Sequence, residues 1–594
     1  MQEQQMINSA DLTLRGLLIE QEYLFRVSNY QRHYVWTDKE VRQFLTDGEF
    51  CWRQQQENQR FIHFAGQISL RIISEERDMR VQVEIVDGQQ RLTTFMLLIA
   101  VASRMMLMEY DQKELAGKLR NEYFISRSDF GEDRERLQLS RKDHDFWKKL
   151  ICVGEEYGLI AKTESQKHLL KAEKVIREYL RLITIEKGSE EAGMVLRDYI
   201  DSIALSFRFV LLRTSHPGYA YALYQIVNDR GVPLTSGELL KARTIELLTD
   251  KSELADRAEQ IWDEVLEDSG VVTDRYLSWN YVAVTGKRME TRGSITIHEL
   301  YERDVFCCYN KRILSEIEQQ VIKGQLELLE INVTRMRVLT QGIIPEAVSE
   351  YTKILFEALI KVLKNTFCIP IYLKILEMNE KQAIKTLNTI TPMLAKAFFI
   401  AKTMGGLHDN VISNCYLEIL KHIDHNHANI DAIKLCLEDL IKRDKCKQEF
   451  TSKIKNDVYV RGASGNAKAK FLLLMLELYY LRQVEKGGCE CGDDSIRFKL
   501  SELSVEHILK ESVDVNEISK AFYSGLHKLG NLTLAGRKVN SRMKNADFEE
   551  KRSIYQLSPY CITREVGQLE HWRKENFDER QNRVTGDLKK AFEF

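Results

Sequence analysis

The sequence predicts a mixed α/β and mainly α protein of several domains. Three observations carry this expectation. Period-two alternation with β-branched residues is concentrated in the first 110 or so residues. From about 110 to 480 the apolar residues recur with a helical period. The chain of 594 residues is too long for one hydrophobic core, and it holds only six prolines.

"EYLFRV" (22–27), "QISLRII" (67–73) and "VQVEIV" (81–86) read as strands. Thr37 and Glu40 have capping-box spacing, so a helix starts there. The third strand ends at an Asp87–Gly88 turn, and a long apolar helix follows. "SQKHLLKAEKVIREYLRLI" (165–183) and "AKAKFLLLMLELYYLRQVE" (467–485) are amphipathic or buried helices. Residues 224–248 read as a helix, an Asn-Asp-Arg-Gly turn, and a second helix capped by Thr235 with Glu238. "EKGGCECGDDS" (485–495) reads as a loop. The expected domains are therefore 1–245, 246–485 and 486–594. In the last, "SVEHI" and "LGNLTLA" (529–535) are strands, and one helix runs from Asn540, its N-cap, through "NSRMKNADFEEKRSIYQL".

The net charge of −2 excludes a global basic field, so nucleic-acid contact must come from local patches. Eleven scattered cysteines fit a reducing compartment. The N-terminus has no basic stretch leading into an apolar one. The apolar runs "FMLLIAVA" and "FLLLMLEL" are far short of a span of about 20 residues. A cytoplasmic protein with no membrane contact is expected.

Hydrolysing a phosphodiester takes a base, a metal, and cations to hold the backbone. Glu506 and His507 end the first C-terminal strand, pointing to opposite sides unless the strand end twists. Arg537, Lys538, Arg542 and Lys544 form a basic run without an acid, suited to phosphates. Glu-His, then Asn531, then Asn540 nine residues on, in this order resembles the HNH (ββα-metal) nucleases. The wider pattern, with Asn545 and Lys551, resembles the C-terminal domain of GmrSD-like type IV restriction enzymes. That resemblance implies His507 as general base, Glu506 and Asn540 as ligands for Mg²⁺ or Mn²⁺, and Asn531 orienting the hairpin. It also implies DNA contacts from Arg537, Lys538, Arg542, Lys544, Asn545 and Lys551. Lys510 stands where the family usually has proline.

"VSNYQRHYVW" (27–36), "FAGQISL" (64–70) and "VEIVDGQQRLTTF" (83–95) make a second constellation. A helix N-terminus offers free N–H groups to anions, and Arg91 adds a bidentate phosphate donor. Thr93 and Thr94 add hydroxyls, Gln89 or Gln90 a water-positioning amide, and Asp87 a carboxylate for a metal or a sugar hydroxyl. No Walker P-loop occurs. The three motifs resemble the N-terminal domain of the same family, which implies a ParB/sulfiredoxin-like fold that binds and hydrolyses GTP or ATP. "VNDRGVPLTSGELLKA" (227–242) resembles a further family motif, with Glu238 where Asp is usual. By resemblance the functional surface holds Tyr30, Gln31, Arg32, Tyr34, Trp36, Asp87, Gly88, Gln89, Gln90, Arg91, Thr94, Asn228 and Gly231. From residue type alone, Tyr30, Tyr34 and Trp36 are more naturally core aromatics.

Three weaker signals are read as ordinary surface: "KHIDHNHAN" (421–429) as a solvated helix end, Cys489/Cys491 as a loop pair, and 453–470 as a charged face. The resemblance implies a nucleotide-coupled DNA endonuclease defending against phage or other foreign DNA. Its DNA is expected to be modified, as glucosylated or methylated cytosine or a phosphorothioate backbone. A homo-oligomer is admitted. Two alternatives stand beside it: a nucleotide-switched DNA-binding protein with a degenerate nuclease fold, and an RNA-cleaving abortive-infection effector.

Overall fold

The computed structural model describes residues 8–27, 33–57, 61–75, 80–126, 133–153, 158–215, 235–248, 252–289, 296–308, 311, 313–460, 466–486, 499–512, 520–543 and 546–593. The chain divides into two compact units. One is Met1–Arg275 with Thr291–Glu330, and the other is Tyr276–Glu290 with Ile331–Phe594. Residues 246–485 are thus shared between both units.

The first unit is built on a six-stranded mixed sheet. Its strands are β1 (Asn8–Thr13), β2 (Tyr23–Val27), β3 (His63–Glu75), β4 (Val81–Asp87), β5 (Leu137–Gln138) and β6 (Phe207–Thr214), in the spatial order β1-β6-β3-β4-β2-β5. β3 pairs antiparallel with β4 and parallel with β6, while β2 pairs parallel with β4. The three expected strands are present. β1 and β6 were not anticipated: β6 follows directly on the helix Ser189–Ser206, inside a stretch of helical periodicity.

Helix α1 (Asp38–Glu57) opens where expected, with Thr37 N donating to Glu40 Oε2 at 2.8 Å. Helix α2 (Gln89–Met108) is buried along most of its length in the core of this unit. By length and composition it would pass for a membrane span, but its apolar surface is spent on packing. A buried carboxylate, Glu173, takes Arg104 of α2 at 2.7 Å and Arg177 at 2.6 Å. Thr235 caps the helix Ser236–Leu248, its hydroxyl accepting from Glu238 N at 3.3 Å.

In the second unit helices precede a β-hairpin, β7 (Leu503–His507) with β8 (Leu532–Gly536), paired antiparallel so that His507 faces Leu532. Two sequence expectations change here. Residues 529–531 form a 3-10 turn instead of the start of a strand, because the buried Arg580 guanidinium gathers the carbonyls of Leu529, Gly530 and Leu532 at 2.8–2.9 Å. The single helix expected from Asn540 is two helices, Arg537–Met543 and Phe548–Gln556. The second has its own capping box, Asp547 with Glu550. Residues 421–429 are a turn following the helix Asp409–Leu420, closed by an Ile423–Ala428 bridge and by Asp424 Oδ1 accepting from two backbone N–H groups.

Candidate active site

The hairpin of the second unit ends in Glu506 and His507, and the two side chains go to different surroundings. Glu506 is buried, with Lys551 Nζ at 2.7 Å and the Tyr555 hydroxyl at 3.2 Å. Burial pushes its carboxyl above the ordinary range, and Lys551 and Tyr555 pull it back. His507 instead meets His527, with Nε2 3.2 Å from Nδ1, and Glu511, with Nε2 3.7 Å from Oε1. Tyr459 places its ring edge-on to His507 and stacked on His527. Burial first, then the neighbouring His527 and Lys551, pushes the His507 imidazole down to about 3. Near neutral pH it is therefore neutral.

Asn531 is fully buried and ties the hairpin mouth together. Its Oδ1 accepts from Leu509 N at 2.8 Å and Trp572 Nε1 at 3.1 Å, and its Nδ2 donates to the carbonyls of Leu509 and Leu526. Gly530 beside it has no room for a side chain, because a Cβ would lie 2.8 Å from the Phe577 ring. Arg537, Lys538 and Arg542 are exposed on the helix that follows the hairpin.

Several expected residues are placed differently. Asn540 sits inside the helix Arg537–Met543, not at an N-cap, and its amide donates to Ser504 Oγ and Val505 O at 2.7 and 2.8 Å. Lys551 cannot meet DNA from its present place: it is 1% exposed, and its ammonium is held by Glu506 and the His507 carbonyl. Glu506 spends its carboxylate on the same pair. Lys544 and Asn545 lie outside the described residues. The sequence reading passed over Glu511 and His527. Glu511 follows His507 by four residues, and His527 precedes Asn531 by four, so fixed spacing around the two marked residues was the available signal.

In the first unit Gly88 has φ +97° and is the N-cap of α2, which starts at Gln89. Arg91 Nη1 donates to Gln67 O at 2.8 Å, and its guanidinium lies over Gly66. With Trp36, Lys39, His63 and Phe207 it lines a cleft of about 300 Å³. Gln90 is not available to position water: its Oε1 accepts from Val35 N at 2.9 Å and its Nε2 donates to His33 O at 3.1 Å. Thr94 is likewise internal, bonded to the Tyr34 hydroxyl and to Gln90 O, both at 2.8 Å. Gln89, Thr93 and Tyr34 are buried, and Trp36 is half-buried. Asp87 is half-buried at the end of β4. Tyr30, Gln31, Arg32, Asn228 and Gly231 lie outside the described residues.

A buried polar node that the sequence did not announce lies nearby in the chain's first unit. His33 Nδ1 is 3.2 Å from Asp143 Oδ2, and His33 Nε2 is 3.8 Å from Asp263 Oδ1, which also holds Lys241 at 2.6 Å. Lys241 belongs to the "SGELLKA" segment already noted.

Residues 14–245 match a family model described as GmrSD restriction endonuclease, N-terminal domain. Residues 444–586 match a second, described as GmrSD restriction endonucleases, C-terminal domain. No curated protein matches the chain. The two matches frame the two sites in the order the motifs have in the sequence, and the chain belongs to the GmrSD-like type IV restriction endonucleases.

Proposed function

We propose that this protein is a metal-dependent endonuclease that cuts or nicks modified foreign DNA, and that its N-terminal unit binds and hydrolyses a nucleoside triphosphate to gate the cut. The observation that carries this is the hairpin mouth. A neutral His507 imidazole stands there, next to a helix that exposes Arg537, Lys538 and Arg542. A β-hairpin followed by a helix, with Asn531 bracing the connection between the two strands, supports an HNH-type assignment.

Each part has a defined task in this scheme. The three exposed cations attract and seat the phosphate backbone, with a salt-sensitive affinity. Asn531 fixes the loop that follows His507, so the imidazole keeps its direction as DNA docks. A divalent ion bound beside His507 supplies charge neutralisation at the scissile phosphate.

For the N-terminal unit the proposal is a ParB/sulfiredoxin-like nucleotide domain. The Arg91 guanidinium and Lys39 suit phosphate groups, and Trp36 and Phe207 in the same cleft suit an apolar or aromatic moiety. Gln90 and Thr94 act in it as internal braces, holding residues 33–35 against α2.

The test is cleavage of matched DNA and RNA in Mg²⁺ or Mn²⁺ by wild type and by His507→Ala. DNA cut by wild type alone is the expected result. RNA cut in preference to DNA would overturn the substrate class, and equal cutting by His507→Ala would remove the hairpin mouth from the chemistry.

A further inference from the structure

We propose that Lys453, Lys468 and Lys470 form a second row of phosphate contacts for duplex DNA, carried by the segment that precedes the nuclease hairpin and continuous with Arg537 on the helix that follows it. The inference rests on the DNA-cutting reading for its ligand. It extends the DNA surface to residues 453–470, which from sequence alone read as an ordinary charged face.

This segment is fastened to the hairpin at several points. Val458 N and Tyr459 N both donate to the His527 carbonyl, at 3.1 and 3.3 Å. Lys470 Nζ donates to Leu500 O at 3.1 Å, just ahead of β7. The helix Ala467–Lys486 packs against both β7 and β8. Asn466 closes the approach to that helix, its Oδ1 accepting from Val460 N at 2.8 Å and its Nδ2 donating to Val460 O at 3.2 Å. Cations carried here are therefore held at fixed positions beside the hairpin.

The cations follow one another along the segment, and each bonds a backbone carbonyl. Lys453 Nζ donates to Met404 O at 2.8 Å and has Glu449 at 3.1 Å. Lys468 Nζ reaches Asp457 O at 3.5 Å. Lys468 and Lys470 form no ion pair with a carboxylate of the described residues, and Asp457 and Glu357 act on them only at longer range. Burial first, and then Lys453, lowers the pKa of Lys468. Burial first, and then Arg537, lowers that of Lys470. Each ammonium thus feels the next cation in the row.

The arrangement costs the fold more than it returns. Like charges are gathered on half-buried side chains. Lys468 and Lys470 also lie in the first turn of their helix, which holds no acid, and the helix dipole disfavours cations there. Where lysine serves the fold in this protein it is paired, as Lys551 is with Glu506 and Lys241 with Asp263. A polyanion laid along the row removes the repulsion, and the regular phosphates of a DNA strand meet several cations in turn. Continuity selects the partner: the row leads to Arg537, on the helix that exposes Lys538 and Arg542 beside the hairpin. Contacts of this kind hold and orient the duplex without reading its sequence.

The test uses full-length protein in chelator, so that nothing is cut, with labelled duplex DNA and matched RNA. Affinity is read by fluorescence anisotropy between about 50 and 200 mM NaCl. The double variant Lys468→Gln/Lys470→Gln should bind DNA about tenfold more weakly or worse at low salt, with a salt slope shallower by about 1–2 units. The charge-matched control Lys381→Gln/Lys385→Gln, on exposed positions of another helix, should keep the wild-type slope. Lysine footprinting of wild type, by acylation and mass spectrometry, decides even if the double variant misfolds: DNA should protect Lys468 and Lys470 and leave Lys381 and Lys385 reactive. A wild-type slope in the folded double variant, an equal loss in the control, or no protection of Lys468 and Lys470 would overturn the row. Tighter binding of RNA than of DNA would overturn its ligand. Cutting of DNA by wild type in Mn²⁺ without that protection would leave the nuclease standing and the row fallen, whereas protection without cutting would do the reverse.

Discussion

At the scale of single residues, the buried Lys551–Glu506 pair shows what sequence reading could and could not reach. Both residues were marked, but as a DNA contact and a metal ligand. They are 45 positions apart, and only folding brings them to 2.7 Å. Removing one partner leaves an uncompensated buried charge, so Lys551→Met should cost about 3–5 kcal/mol in chemical denaturation. The double variant with Glu506→Gln should lose less than that. Asp143 offers a pH test. Burial alone would raise its carboxyl, but hydrogen bonds from His33, Ser165 and Gln166 outweigh this and hold it below the usual carboxylate value. A depressed carboxyl stabilises the fold above its unfolded pKa, and that stability is lost as pH falls through the folded value. Asp143→Asn should therefore flatten the stability profile below about pH 4, while wild type steepens there.

At the scale of elements, local signals were legible wherever the chain decides locally. The Thr37–Glu40 and Thr235–Glu238 boxes start helices as their spacing requires. The Asp87–Gly88 turn ends β4 and launches α2. Gly88 is constrained twice, by φ +97° and by Ile68, which a Cβ would meet at 2.8 Å. Gly88→Ala should cost about 1–3 kcal/mol, seen as a lowered thermal midpoint. The break between the helices Arg537–Met543 and Phe548–Gln556 was also written locally, in Asp547 and Glu550, but an uninterrupted helical pattern overrode it. Strand β6 and the Arg580 clamp were not written locally at all. β6 is a strand because β3 and β1 flank it, and the 529–531 turn exists because a helix some 50 residues away supplies the guanidinium.

At the scale of the whole molecule, the two candidate sites lie in different compact units, each matched by its own family model. The proposed coupling asks that nucleotide state in the first unit change the cutting rate in the second. Arg91→Ala should abolish nucleotide dependence without altering the fold, since it removes one hydrogen bond to Gln67 and a group lining the cleft. Equal response to GTP or ATP in wild type and Arg91→Ala would exclude gating through this cleft. The nuclease itself is tested most directly by incubating wild type and His507→Ala with modified phage DNA and plain plasmid, in Mn²⁺ or Mg²⁺, with and without GTP or ATP. The predicted result is cutting of modified DNA by wild type only, dependent on nucleotide. Intact DNA with wild type in every combination, or cutting by His507→Ala at the wild-type rate, would contradict it.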